Sequence, residues 1–220
     1  LAARGAQWRE RLDQDAQFAA ALARAGMPVV LGAYVTADRG GARHGVLPPP
    51  WWPGHDGDGR PYRLPAWTGH GANLSRLAEA APRAGVFNAL PDDDGLYRRV
   101  PAVVRIDDGL QPSLALALWR ELTGRPDLQV ESSPVAGGSE LDALVFEATP
   151  AGNAPARQRR LHLDEQGALR VPFGGSGRFR HVPAAALLAG QVAAGTLAGQ
   201  AVLLGSSAPG LADLRPTPIH

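Results

Sequence analysis

Cysteine and lysine are both missing from the 220 residues. Without a thiol there is no disulfide, no thiolate nucleophile and no cysteine-rich zinc site. Without lysine there is no Schiff-base or amine-nucleophile chemistry, and the nucleotide-hydrolysing P-loop, which needs its lysine, is excluded. An excess of charge of one sign is lacking too: 22 basic residues, all arginine, stand against 21 acidic ones for a formal net charge of +1. No bulk field therefore draws the chain to nucleic acid or to an anionic membrane. Aromatic residues are only 6%, few for stacking bases along a strand. An arginine-only basic set beside abundant Ala, Gly and Pro reads as coding bias before function, and a cysteine-free chain is compatible with an oxidising compartment.

What is present is ordinary globular usage, 45% apolar and 20% charged, which rules out disorder along the whole chain. A chain this long can remove roughly 70% of its unfolded surface from water, enough for one sizeable core. Glycine (27) and proline (20) predict long turns. Leu1 to Gln7 lacks the charged-then-apolar run of a signal peptide. A start without Met and an abrupt stop at Thr217-Pro218-Ile219-His220 make the chain read as a piece of something longer. Val182 to Ala212 carries no charge and holds a Gly195/Gly199 pair in GxxxG spacing. Gln191, Thr196, Gln200, Ser206 and Ser207 interrupt it, so it reads as a short helix after Pro183, a turn and a buried strand rather than a membrane span.

Along the chain, Asp15 is placed to cap a helix with Phe18, Leu22 and Ala25 on one face, ended by Gly26. Pro28 to Gly32 then reads as a buried strand. Residues 38 to 72 lose periodicity and form a long Pro/Trp-rich loop. A short helix over Leu74 to Ala81 is capped by Asn73 and stopped by Pro82. Gly85–Leu90 and Leu96–Ile106 flank the turn Pro91–Gly95 as a hairpin, Pro101 marking the second strand as an edge or a bulge. Pro112 opens a helix with Leu114, Leu118 and Leu122 four apart, closed by Gly124. After a strand at Leu144–Ala148, a second hairpin is predicted from Arg160–Leu163 and Ala168–Phe173, and Ala201–Gly205 reads as a central strand. The fold class is α/β, a mixed β-sheet flanked by helices, with two β-hairpins and the long loop.

Several groupings invite chemistry. Asp92-Asp93-Asp94-Gly95 lacks the alternating spacing and distal Glu of a calcium loop, and a tight turn explains it better. His55-Asp56-Gly57-Asp58 sits in one loop with no third fixed ligand for zinc. Gly205-Ser206-Ser207-Ala208-Pro209-Gly210 follows a strand, as a nucleophile elbow does, but misses G-x-S-x-G. The same turn can offer backbone N–H groups to an anion. Arg157, Arg159, Arg160, Arg170, Arg178 and Arg180 crowd the second hairpin as solvated charges, and Arg98 and Arg99 are placed to fold back on Asp92 or Asp94. Trp51, Trp52 and Trp67 suit either packing of the long loop on the core or a sugar-binding shelf.

The ordered string "DAQFAAALARAGMPVVLG" (15–32), "GVFNALPDDDGLYRRVP" (85–101), the segment 171–190 and "VLLGSSAPGLADLRPTP" (202–218) resembles the second type of CHASE domain, a cyclase- and histidine-kinase-associated extracellular sensor. The likeness covers most of residues 13 to 218; Pro172 departs from it, residues 45–67 look like an insertion, and the family's opening strand-helix-strand is missing. It implies that residues 1–220 are a single extracytoplasmic sensor domain of an inner-membrane protein, performing no catalysis and needing no cofactor. The partners it implies are a small-molecule or periplasmic ligand, the protein's own transmembrane helices, and a cytoplasmic cyclase, kinase or similar output domain; a homodimer is allowed and nucleic acid is not expected. The candidate ligand-binding residues are Asn88, Asp92, Asp94, Arg98 and Arg99 with Gly205, Ser206 and Asp213 of the closing loop. Two rival functions stand beside this one: a serine hydrolase using Ser206 or Ser207, and a cell-wall carbohydrate-binding module using the three tryptophans.

Overall fold

The computed structural model describes residues 12–38, 40–148, 157–174, 179–206 and 216–218. It is mixed α/β, with several sheets and four short helices among the described residues. By contacts the chain forms two units, residues 1–90 with 100–169, and residues 91–99 with 170–220.

The first unit opens with helix α1 (Gln14–Ala23), capped by Asp13, whose Oδ1 accepts from the Ala16 N–H at 2.9 Å. The predicted cap, Asp15, lies two residues further on, in the first turn, where its charge still favours the helix N-terminus. Asp13 also receives Arg76 of helix α2 (Ser75–Ala80) at 2.7 Å, so one carboxylate caps the start of the first helix and ties it to the second. Asn73 does not cap α2; its Nδ2 donates to the Gly32 carbonyl at 3.1 Å instead.

Strand β1 (Val30–Thr36) begins after Pro28, which has no N–H for a ladder, and buries Ala33 and Val35. The stretch read as one loop is resolved into very short strands: β2 (Arg43–His44), β3 (Trp52–Pro53), β4 (Ala66–Trp67) and β5 (Gly69–Gly71). Two- and three-residue strands carry no periodicity, which is why the pattern was invisible. In β5, a side chain at Gly71 would meet the Tyr34 ring at 2.2 Å; the glycine leaves room for that ring across the antiparallel pair. Strand β6 (Arg83–Val86) pairs in parallel with β1, giving the sheet order β2-β5-β1-β6.

The hairpins lie elsewhere than predicted. Neither Gly85–Leu90 with Leu96–Ile106 nor Arg160–Leu163 with Ala168–Phe173 pairs as a hairpin. Strand β6 takes β1 as partner, and the second run divides into β7 (Arg99–Pro101) and β8 (Val103–Ile106). It breaks at Ala102, whose N–H goes to Gly167 O at 2.8 Å while its carbonyl accepts from the Ser113 N–H at 2.8 Å. A hairpin instead joins β8 to β9 (Gly109–Pro112) across Asp107-Asp108, with Asp107 at φ 51°, a left-handed position Asp tolerates. The sheet runs β3-β9-β8-β4. A meander of β10 (Leu128–Val135), β11 (Gly138–Ala148) and β12 (Arg157–His162) supplies the other hairpins. The turn predicted at Asp164–Gly167 forms, but β13 (Ala168–Arg170) leaves it to pair with β7.

Helix α3 (Leu114–Leu122) is capped by Ser113, which accepts from the Leu116 N–H at 3.2 Å. Its buried residues are Leu116 and Ala117, not the Leu114/Leu118/Leu122 stripe; Leu122 is 59% exposed. The N-terminus of α3 sets this rotation by packing on Gly85, where a Cβ would lie 2.5 Å from the Leu114 Cα. The main core gathers Leu116 with Tyr62, Leu64, Val103, Leu110, Leu141 and Leu144, so two residues of the supposed loop are core. A second cluster holds Val35, Val86, Val104 and Ile106.

In the second unit, helix α4 (Ala184–Leu188) follows Pro183 as predicted. The central strand predicted at Ala201–Gly205 is absent: Val202, Leu203 and Leu204 are 55%, 73% and 89% exposed, and no described strand pairs with them. An apolar run becomes a strand only where a neighbour supplies the ladder. Among the described residues, no helix is long and apolar enough to cross a membrane.

Substitution at α3 checks its buried face. Leu116→Ala should cost about 3 kcal/mol in chemical denaturation, whereas Leu122→Ala should change stability by roughly 0.5 kcal/mol or less. Equal effects would contradict the observed rotation.

Candidate functional site

The acidic turn is built from the chain upward. Gly95, at φ 81°, lets its N–H reach the Asp92 carbonyl at 2.8 Å, and the Asp92 N–H returns to Leu96 O at 2.8 Å. The closed turn aims two carboxylates at the arginines that follow it. Arg98 bridges them, Nη1 to Asp92 Oδ2 at 2.9 Å and Nη2 to Asp94 Oδ2 at 2.6 Å. Arg99 adds Nε to Asp92 Oδ1 at 3.0 Å. The fold-back expected of Arg98 and Arg99 is thus present.

The electrostatics follow from these contacts. Hydrogen bonds from Arg98 first, and the Leu96 N–H next, lower the Asp94 carboxyl to about 2. Asp92 is lowered by Arg98 and then Arg99. Arg98 is raised by the same partners, Asp94 first. The four side chains form a self-neutralising lattice on one short turn. An anion would compete with Asp92 and Asp94 for Arg98, and a cation would compete with Arg98 for the carboxylates.

The remaining predicted residues are placed differently. Asn88 lies in the first unit, with its amide spent on one residue: Oδ1 accepts from the Val35 N–H at 2.7 Å and Nδ2 donates to Val35 O at 2.8 Å. It continues the pairing of β6 with β1 beyond Val86 as a side-chain substitute for a strand. Gly205 and Ser206 belong to the second unit; a Cβ on Gly205 would point into open space, and the predicted strand before them is not formed. Asp213 and Ser207 lie outside the described residues, as does Arg178.

The other groupings resolve into structural roles. Asp56 accepts from the Asp58 and Arg60 N–H groups at 2.9 and 2.8 Å and from the Ser139 hydroxyl, the contact that most lowers its pKa. Trp51 and Trp52 pack against the main core, while Trp67 packs against the second cluster, so the three rings are split between two clusters. Arg160 is paired with Glu131.

A second concentration of charge was missed in the sequence. Helix α3 ends in a Schellman turn: Gly124 and Arg125 adopt φ 79° and 59°, and the Arg125 N–H donates to Arg120 O at 2.8 Å. A left-handed arginine costs roughly 1–2 kcal/mol. The turn sends Arg125 back to Glu121, Nη2 to Oε2 at 2.9 Å, while Arg83 of β6 meets Oε1 at 2.9 Å. These residues line a cavity of about 220 Å³ with Arg120 and Trp51. The Glu121/Arg125 spacing of four was a legible helix-end pair. Its assembly with Arg83 and Trp51 depends on segments 38 and 70 positions away from Glu121, beyond any local pattern.

Two measurements test the two kinds of residue. Asn88→Ala leaves the Val35 N–H and carbonyl without their partner and should destabilise the chain by about 2 kcal/mol. Carbon-detected NMR titration should place the Asp94 midpoint near 2, moving back towards about 4 in Arg98→Gln. Because the folded value is the lower one, any stability this pairing gives is present above the ordinary carboxylate range and lost as pH falls through that of Asp94.

The family model for the CHASE2 domain matches residues 3–220. No curated protein and no solved structure matches the chain. CHASE2 is a family of sensory extracellular domains found in signalling proteins, and its role there is sensing rather than catalysis.

Proposed function

The chain belongs to the CHASE2 domain family, and on that premise we propose that residues 1–220 are the single periplasmic or extracellular ligand-sensing domain of an inner-membrane receptor. The observation that carries this reading is the extent of the match, residues 3–220. Transmembrane helices outside these residues would hold the domain at the membrane, and a cyclase, kinase or similar output domain would lie on the cytoplasmic side. The ligand acts by binding one conformation more tightly than another, which shifts the population that the membrane helices feel. The stretch Asp213 to His220 is the element assigned to that coupling. The Arg98 lattice suits a switch, since its four charged groups share one short turn, where a charged ligand can take the place of one of them. We assign Asp92, Asp94, Arg98, Arg99, Gly205, Ser206 and Asp213 to ligand or signal contacts on the second unit, and Asn88 to holding the end of β6.

A topology reporter fused after His220 in the full-length protein tests the location. Alkaline phosphatase should be active there when the fusion point stays outside the membrane; activity of a cytoplasm-only reporter at the same point would end this reading.

A further inference from the structure

Three guanidinium groups and one carboxylate meet at the cavity beside the end of α3. Among the described residues Glu121 is its only acid, and that side chain is 10% exposed, with both oxygens already engaged by Arg83 and Arg125. Among the described residues, Arg120 has no acidic partner. Its Nε donates to Pro126 O at 3.2 Å, and its guanidinium lies 4.7 Å from the centroid of the Trp51 ring. Three cations against one anion leave the cavity with uncompensated positive charge. Partly buried guanidinium groups call for a counter-charge, and the planar fork of arginine suits a carboxylate held bidentately.

A second cavity, of about 300 Å³, adjoins the first along a shared wall of Pro48, Pro82 and Ala84 and adds Leu31, Leu47 and Ala78. Its one acid, Glu79, is exposed to solvent. The shared wall is fixed in advance: buried Gln111 donates Nε2 to Pro48 O at 2.8 Å, and the prolines themselves carry no N–H that a hydrocarbon would leave unpaired. One end of the groove is cationic and aromatic, and the other is apolar. Small-molecule sites combine these features, a mostly apolar cleft with a few convergent polar groups.

We propose that this groove binds a small amphiphilic carboxylate, its head on Arg120 and Arg83 against Trp51 and its hydrocarbon chain along Pro48, Pro82 and Ala84 into the second cavity. A single negative charge fits best, because a dianionic head would face the Glu121 carboxylate. The binding stands on the charge and shape of the groove; its meaning as the receptor's input rests on the sensing function proposed above.

Calorimetry of the purified 220-residue chain with decanoate, below its micelle concentration, is the test. One saturable site is expected, with methyl decanoate bound at least about tenfold more weakly. Arg120→Gln should lose about tenfold, and Arg120→Lys, which keeps the charge but neither the planar fork nor its stacking on Trp51, should recover only part of that loss. Ala78→Leu, which leaves every charge in place, should weaken decanoate more than hexanoate; it decides the matter if Arg120→Gln does not fold. No saturable binding of decanoate, equal affinity for acid and ester, or partition onto phosphatidylglycerol vesicles without binding of the free acid would overturn the proposal. Binding by the purified chain without any change in output of the full-length protein would keep the site and remove the sensing role. Absence of binding removes the site whatever the receptor does.

Discussion

Strand β8 is buried on both faces, and the first unit depends on that fact. Val103 sits in the main core beside Leu110, Leu116 and Leu144, while Val104 and Ile106 sit in the second cluster with Val35 and Val86. Alternate side chains of a strand must point to opposite faces, so four consecutive residues join the sheet that carries β1 to the helix and meander on the other side. The hairpin to β9 and the break at Ala102 fix the register in which those side chains alternate. A slip of one residue would exchange the faces and turn Arg105 into the second cluster.

The charged groups divide along the same lines as the packing. On the acidic turn, each carboxylate and each guanidinium compensates another within a few residues, and the lattice is largely local. At the end of α3 the balance is unequal, because β6 brings Arg83 to a helix that already carries Arg120 and a Schellman turn that returns Arg125. With lysine absent, all 22 strongly basic side chains are planar forks able to stack on an aromatic ring and hold a planar anion at once. Trp51 and Arg120 show that pairing directly.

A sensory domain needs a rigid part that recognises and a part that responds. The first unit has the two buried clusters and the strands that would keep a groove in shape. The second has the half-buried charge lattice, a short helix and the apolar run Val202–Leu204, which lacks a described strand partner. Low burial and local hydrogen bonding mark segments that reorganise at small free-energy cost. This division accords with an extracellular domain found in signalling proteins.

By itself the sequence determined the α/β class, the helices near residues 14–23 and 114–122, the tight turns at Asp92–Gly95 and Asp164–Gly167, the pairing of Arg98 and Arg99 with Asp92 and Asp94, and the family. All of these rest on neighbours along the chain, on short spacings, or on motifs in fixed order, so the information is local. Only the tertiary structure decided that β6 pairs with β1 rather than across the acidic turn, that Asn88 plugs the Val35 backbone, and that Leu116 rather than Leu122 is core. It also placed Tyr62 and Leu64 in the core from a stretch without periodicity, left Val202–Leu204 without a partner among the described strands, and drew Arg83, Arg120, Arg125 and Trp51 around Glu121. Those outcomes turn on which distant segment fills a ladder or a cavity first, and a ladder partner or a cavity wall leaves no mark on the residues next to it in sequence.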